Sequence, residues 1–358
     1  MNRRIIGAIC LVAVLLVTGL APARAAERPT IKIGWSIYVG FMPLVYMEKS
    51  GILKKWGDKY NVDLKVTLVN DYVGSINQFI GGDLDIVTVA GMDGLTMPAA
   101  GGVDTTLFMI GDYSNGNDVL LSKKAGSVKE LKGQTVDLVQ FSVSHYLLQR
   151  ALVKNGMTGL GDVKTVNISD ADIASAYLTS PDVTNVASWK PMTDDMIKGV
   201  PGTKVLFTSQ EIPGEIMDVF ITKTATMKAH PEAIKALAGA WYEALGILSG
   251  NDAKAKDMRE VMAAGMGTDV AGFESQEATT HFFKTAKEAS DFLTAASTKE
   301  IWDNIRTFSF EQGLFGQGAT SKDDVGISFP DGSVLGNTAN VKLRVNDDIT
   351  ALAAAGKL

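Results

Sequence analysis

The chain has 358 residues, 46% of them hydrophobic and 21% charged, which excludes a disordered polypeptide and fits one to two globular domains. Its 34 basic and 40 acidic residues give a net charge of −6, and no long basic run occurs, so nucleic-acid binding has no electrostatic footprint. A single cysteine excludes a disulfide scaffold and a cysteine-rich metal centre.

The first 25 residues differ from the rest. Arg3 and Arg4 precede an apolar run at 5–20, and Ala23-Arg24-Ala25 is a small-x-small cleavage site. That order predicts a cleaved secretory signal peptide over residues 1–25 and a periplasmic product. The run is short for a membrane span. Cys10 lies early in it, so it is not the lipid-bearing cysteine that would close such a region. Arg3-Arg4 leaves both Sec and twin-arginine export open. Cleavage near Ala25 removes Arg3, Arg4 and Arg24 but no acid, leaving a more acidic, cysteine-free chain.

Residues 31–37 (IKIGWSI) alternate and predict a first strand, after which Pro43 opens a helical stretch. A second strand is expected at 62–69, and a short helix at 75–80 closed by Gly81-Gly82. A third strand at 84–90, a short helix at 93–100 and a fourth strand at 106–110 complete a βαβαβαβ run. A second such run has strands at 118–122, 135–139, 164–168, 185–188 and 204–208, with helices at 144–155, 170–179 and 192–198. Residues 217–222 (MDVFIT) read as another strand. Helices are expected at 231–249, 253–264 and 298–314, and a late strand at 341–345. Within 233–248, Lys235 and Glu243 interrupt the apolar run, which favours a buried helix over a span. The fold class is α/β: two lobes, each a mostly parallel sheet flanked by helices. Residues 27–116 and 220–358 are expected to form lobe one and 117–219 lobe two, joined by two crossovers. Ligands of open α/β sheets sit where strands end, here between the lobes.

The loops after those strands contain Asp71, Asp93, Asp112, Asp118, Asp170, Glu211 and Glu215 against one cation, Lys190. A sulfonate, nitrate or phosphate site would call for arginines or lysines. Carboxylates beside aromatic faces suit a small cation or an N–H donor. Asp71 reads equally as a turn residue, and Asp93 and Asp170 as helix caps. Ser142 and Ser144 open a helix, either as plain caps or beside free N–H groups that would hold a carbonyl or an anion. His145 competes with a packed structural role. No nucleophile elbow, P-loop or HExxH motif occurs, and the three histidines are scattered.

The order of several segments resembles the solute-binding proteins of nitrate/taurine/sulfonate-type ABC importers. They include Gly82-Asp83-Leu84-Asp85, the LKGQTV stretch at 131–136, the SHYLL segment at 144–148 and Ser188-Trp189-Lys190-Pro191. A finer resemblance is to a subgroup encoded near urea or guanidine carboxylases and assigned to urea. It rests on Trp35-Ser36-Ile37-Tyr38-Val39-Gly40, Asn70-Asp71-Tyr72, Ser114-Asn115-Gly116-Asn117-Asp118 and Ile212-Pro213-Gly214-Glu215, among others. The resemblance implies a type II periplasmic binding fold that takes a small ligand and delivers it to an inner-membrane permease. It implies no cofactor and a monomer. Lys190 departs from the polar uncharged residue expected there.

The resulting expectation is a non-enzymatic receptor for a urea- or guanidine-like solute. Trp35 and Tyr38 would form an aromatic wall, and Asp71 and Asp93 would accept ligand N–H groups. Ser142, Ser144 and His145 would meet a ligand acceptor, with Trp189 and Glu215 closing from lobe two about hinges near 115–119 and 215–219. An organic anion held by Lys190 and the helix start is the alternative. An enzyme acting on pyrimidine precursors is the third reading.

Overall fold

A computed structural model describes residues 28–358. The expected signal peptide lies outside the described residues.

The strands follow the alternation of the sequence. In β1 (Thr30–Trp35), Ile31, Ile33 and Trp35 share one buried face. β1 pairs in parallel with β2 (Asp63–Leu68) and β3 (Ile86–Ala90). β4 (Thr105–Ser114) follows, and the chain then leaves this sheet. β5 (Asp118–Ser122), β6 (Thr135–Leu138), β7 (Lys164–Asn167), β8 (Asn185–Trp189) and β9 (Lys204–Thr208) form a second sheet in the order β7-β6-β8-β5-β9. β10 (Met217–Lys223) returns to the first sheet between β3 and β4. β11 (Thr280–Phe282) adds to β4, and β12 (Gly326–Ser328), β13 (Val334–Leu335) and β14 (Val341–Val345) extend the far edge.

The two sheets share one device. β6 runs parallel to β7 and β8, as β1 does to β2 and β3, while the first strand after each crossing enters antiparallel. That strand is β5, between β8 and β9, in the second sheet, and β10 in the first. Each crossing therefore begins its new sheet at the end where the two sheets meet. The passages are tied together: the Ser114 and Ser209 hydroxyls hydrogen-bond at 2.7 Å, and Gly116 N–H donates to Ser209 Oγ at 2.7 Å.

The helices differ from the expected boundaries where glycine or proline intervenes. The stretch opened by Pro43 is two helices, Pro43–Lys49 and Ile52–Tyr60, divided at Gly51, whose φ of 78° is left-handed. The helix expected at 93–100 begins at Gly91 and finishes as a π turn, Leu95–Ala99, because Pro98 supplies no amide. Helix Pro231–Leu248 is buried as expected. Trp241 packs edge-on against Phe220 at 4.8 Å, and Gly239 leaves room for the Trp56 ring, which a Cβ would meet at 2.4 Å. No described helix is long and apolar enough to cross a membrane.

Candidate ligand-binding site

A cavity of about 720 Å³ opens between residues of the two sheets. Tyr38, Tyr72, Asp93, Asp112 and Asp218 line it from the first sheet and its connections. Asp118, Phe141, Ser142, Asp170 and Trp189 line it from the second. Among the described residues no lysine, arginine or histidine contributes to its wall.

The crossing strands carry three of these acids. Asp112 lies near the end of β4, Asp118 begins β5 and Asp218 lies at the start of β10. Asp112 and Asp218 are direct cross-strand partners. Residues so paired have Cβ atoms about 5 Å apart, and like charges there repel. Asp112 is 2% exposed, and its Oδ2 has no hydrogen-bond partner. Only a glycine fits at position 40, since a Cβ there would fall 2.2 Å from that oxygen. Burial, then the Asp218 charge, raises the Asp112 pKa well above the usual carboxylate range. Asp218 is raised likewise by burial, then by Asp118 and Asp93. Burial lifts Asp118 to about 6, against a hydrogen bond from Ser114.

Asp93 accepts a 2.7 Å hydrogen bond from the Tyr72 hydroxyl, which in turn accepts from Ala90 N–H at 2.9 Å. Burial raises Asp93 to about 6, with the Tyr72 bond opposing. Tyr38 stacks edge-on against Tyr72 at 5.4 Å. Its pKa is pushed up by burial and then by Asp93, Asp170, Asp218 and Asp118, so the phenol keeps its proton and faces the acids as a donor.

The residues expected from sequence divide into two groups. Tyr38, Asp71, Asp93, Ser142 and Trp189 border the cavity. Asp71 also caps helix Tyr72–Gly81 by accepting from Gly74 N–H at 3.0 Å. Ser142 caps helix Val143–Lys154, accepting from Ser144 N–H, while its hydroxyl donates to Val139 O. Asp93 is not a cap, since Ala90 holds that position, and Asp170 is the first helical residue after the cap Ser169.

Trp35, Ser144, His145 and Glu215 stand off the wall. Trp35 shares the buried face of Ile31 and Ile33, so its indole enters the core. Ser144 is fully buried within its helix. His145 accepts from Phe141 N–H through Nδ1 and packs edge-on against Phe308 at 5.6 Å. Burial lowers its pKa to about 4, leaving it neutral. Glu215 is held by the Tyr146 hydroxyl at 2.5 Å and by Arg150 at 2.6 and 2.9 Å. Lys190 turns away to Ser275 and Asp194. Asp218 was not anticipated, although an aspartate inside the apolar strand MDVFIT was a usable signal.

A second hollow of about 710 Å³ borders Asn115, Arg259 and His281. Arg259 there is held by Glu277, and His281 Nε2 lies 2.8 Å from Glu288 Oε1.

Residues 24–263 match the NMT1-like family, and the chain belongs to it. No curated protein matches the sequence. Among solved structures, the fold is similar to that of the aliphatic sulphonate-binding protein SsuA of Escherichia coli (17% identity, TM-score 0.66, covering 80% of this chain and 88% of that one). It is similar to the alkanesulfonate-binding SsuA of Xanthomonas axonopodis bound to MOPS (17%, 0.63, 82% and 96%). It is also similar to a protein assigned as the sulfonate-binding SsuA of Methylobacillus flagellatus (15%, 0.69, 92% and 96%). The chain therefore has the periplasmic binding protein fold, with α/β sheets flanked by helices.

Proposed function

We propose that this member of the NMT1-like family is a periplasmic solute receptor of an ABC importer, which captures a small nitrogen-rich solute of the urea or guanidine type in the cleft and passes it to a membrane permease. One observation carries the ligand class: Asp93, Asp112, Asp118 and Asp218 meet at the cavity, and no lysine, arginine or histidine joins them. Carboxyl groups in that setting accept N–H bonds and repel anions. The Tyr38, Tyr72 and Trp189 rings beside them supply flat apolar faces for a planar guest. Residues 27–116 and 220–358 would move as one lobe against 117–219, and closure is a population shift toward the form with more ligand contacts. The chain acts as a monomer without chemistry of its own.

An aliphatic sulfonate is the second reading, favoured by what the similar folds bind. It would have to sit beside these acids with no arginine to offset them, and Lys190, its expected anchor, is engaged elsewhere. Calorimetry with urea, guanidine, taurine and nitrate separates the readings. Binding of urea or guanidine is expected, and tight binding of taurine or nitrate alone overturns the proposal. A turnover assay on pyrimidine precursors checks the third reading, with no product expected.

A further inference from the structure

The cleft holds more acid groups than a neutral solute needs. Asp112 and Asp218 face one another across adjacent strands, and each touches the cavity. Asp112 Oδ2 is buried and unpartnered, at the one place where Gly40 strips the opposing backbone of a side chain. A buried carboxylate oxygen left without a donor costs about 1–3 kcal/mol or more, so native structures supply a partner or give such a group a task. The nearby acids have other ties: Asp93 receives the Tyr72 hydroxyl, and Asp71 caps a helix. Among the described residues no three His, Cys, Asp or Glu side chains are grouped as a metal site.

Resting on the proposed receptor role, the geometry points to Asp112 and Asp218 as the charge anchor of the site, and to an organic cation of the guanidinium or amidinium class, rather than neutral urea, as its ligand. A planar cation with parallel N–H bonds matches two carboxyl groups held about 5 Å apart at their Cβ atoms. It would also offset the repulsion that ionising both acids creates. Neutral urea offers similar N–H donors but leaves that repulsion in place.

The charge state has a consequence for pH. The titratable groups around the pair are Asp71, Asp93, Asp118, Asp170, Tyr38 and Tyr72, and none is a lysine, arginine or histidine. In the empty cleft, burial keeps protons on the acids, and Asp93 and Asp118 lose theirs near pH 6. A cation favours the ionised forms and expels protons, so its affinity rises with pH across this range. Each proton released contributes up to a tenfold change in affinity per pH unit. Urea carries no charge and gains nothing from ionisation.

The test is calorimetry of the purified protein with guanidinium, acetamidinium, urea and taurine at matched ionic strength, at pH 5.5 and 7.5, in buffers of different ionisation enthalpy. A cation should bind at least tenfold more tightly at pH 7.5 and release protons at pH 5.5. Asp218→Asn and Asp112→Asn should each weaken the cation at least a hundredfold and leave the melting temperature of the empty protein equal or higher, since the cost of holding a buried acid is removed. Urea binding with no cation binding, or cation affinity flat in pH and unchanged in Asp218→Asn, overturns this inference and leaves the receptor reading standing. Binding of taurine alone overturns the receptor's ligand class itself. Failure of every cation to bind overturns the inference as well.

Discussion

The two sides of the cleft do different work. The first-sheet side presents acids set into its framework: Asp93 bonded to Tyr72, Asp112 against Gly40, and Asp218 on a strand between two others. The second-sheet side presents Asp118 and Trp189 from strand ends and Phe141 and Ser142 from the turn before a helix, and Phe141 is 51% exposed. Phe141 also sits in left-handed backbone, with φ of 66°, a conformation that costs a residue other than glycine about 1–3 kcal/mol. Three of the acids thus sit on the first side, while the second adds an aromatic ring held against its backbone preference.

The largest effect should come from breaking what holds the second side in place. Arg150→Met leaves Glu215 buried without its cation, and loss of one partner from such a pair costs about 3–5 kcal/mol. Chemical denaturation should show that loss, whereas Glu215→Gln with Arg150→Met should recover much of it. On the first side, Asp93→Ala should weaken the ligand at least tenfold without unfolding the protein. Unchanged affinity in calorimetry would remove Asp93 from the site. Gly40→Ala should push Asp112 aside, costing about 1–3 kcal/mol of stability and weakening the ligand, as measured by thermal melts with and without it. Phe141→Gly should sharpen the contrast in the opposite sense. The empty protein gains up to about 1 kcal/mol from relief of backbone strain, while the complex dissociates several-fold faster in stopped flow.

The smallest effect is a slope. The folded-state pKa values of Asp93 and Asp118 are raised to about 6. Their protons are held more tightly in the fold than in the unfolded chain, so the stability they contribute is full below about pH 4 and is lost as pH rises through 6. The melting temperature of the empty protein should fall between pH 5 and 7, and Asp93→Asn should flatten that fall.

Much of the α/β alternation was legible because each strand and helix carried its own period. Strands β5, β9 and β14 and helix Asp170–Thr179 have the expected limits. The short strands β11, β12 and β13 were not foreseen, because two or three residues are too few to show alternation. In the cleft, the strand-end loops gave Tyr38, Asp93 and Trp189 a place on the wall. Trp35 was assigned to the wall although its parity with Ile31 and Ile33 already turned it inward. Asp112 was expected in a loop, but β4 continues through it to Ser114. That continuation, with β10 beside it, sets Asp112 against Asp218, a pairing between distant parts of the chain that no local pattern encodes.

The serine pair between the two passages limits how the molecule can flex. With Ser114 and Ser209 joined and Gly116 fastened to the same hydroxyl, neither strap can bend alone without breaking a buried bond. Moving as proposed, the halves would turn about this shared seam like a door on one pin, so scattering profiles of intermediate occupancy should decompose into the shapes of the empty and the filled protein.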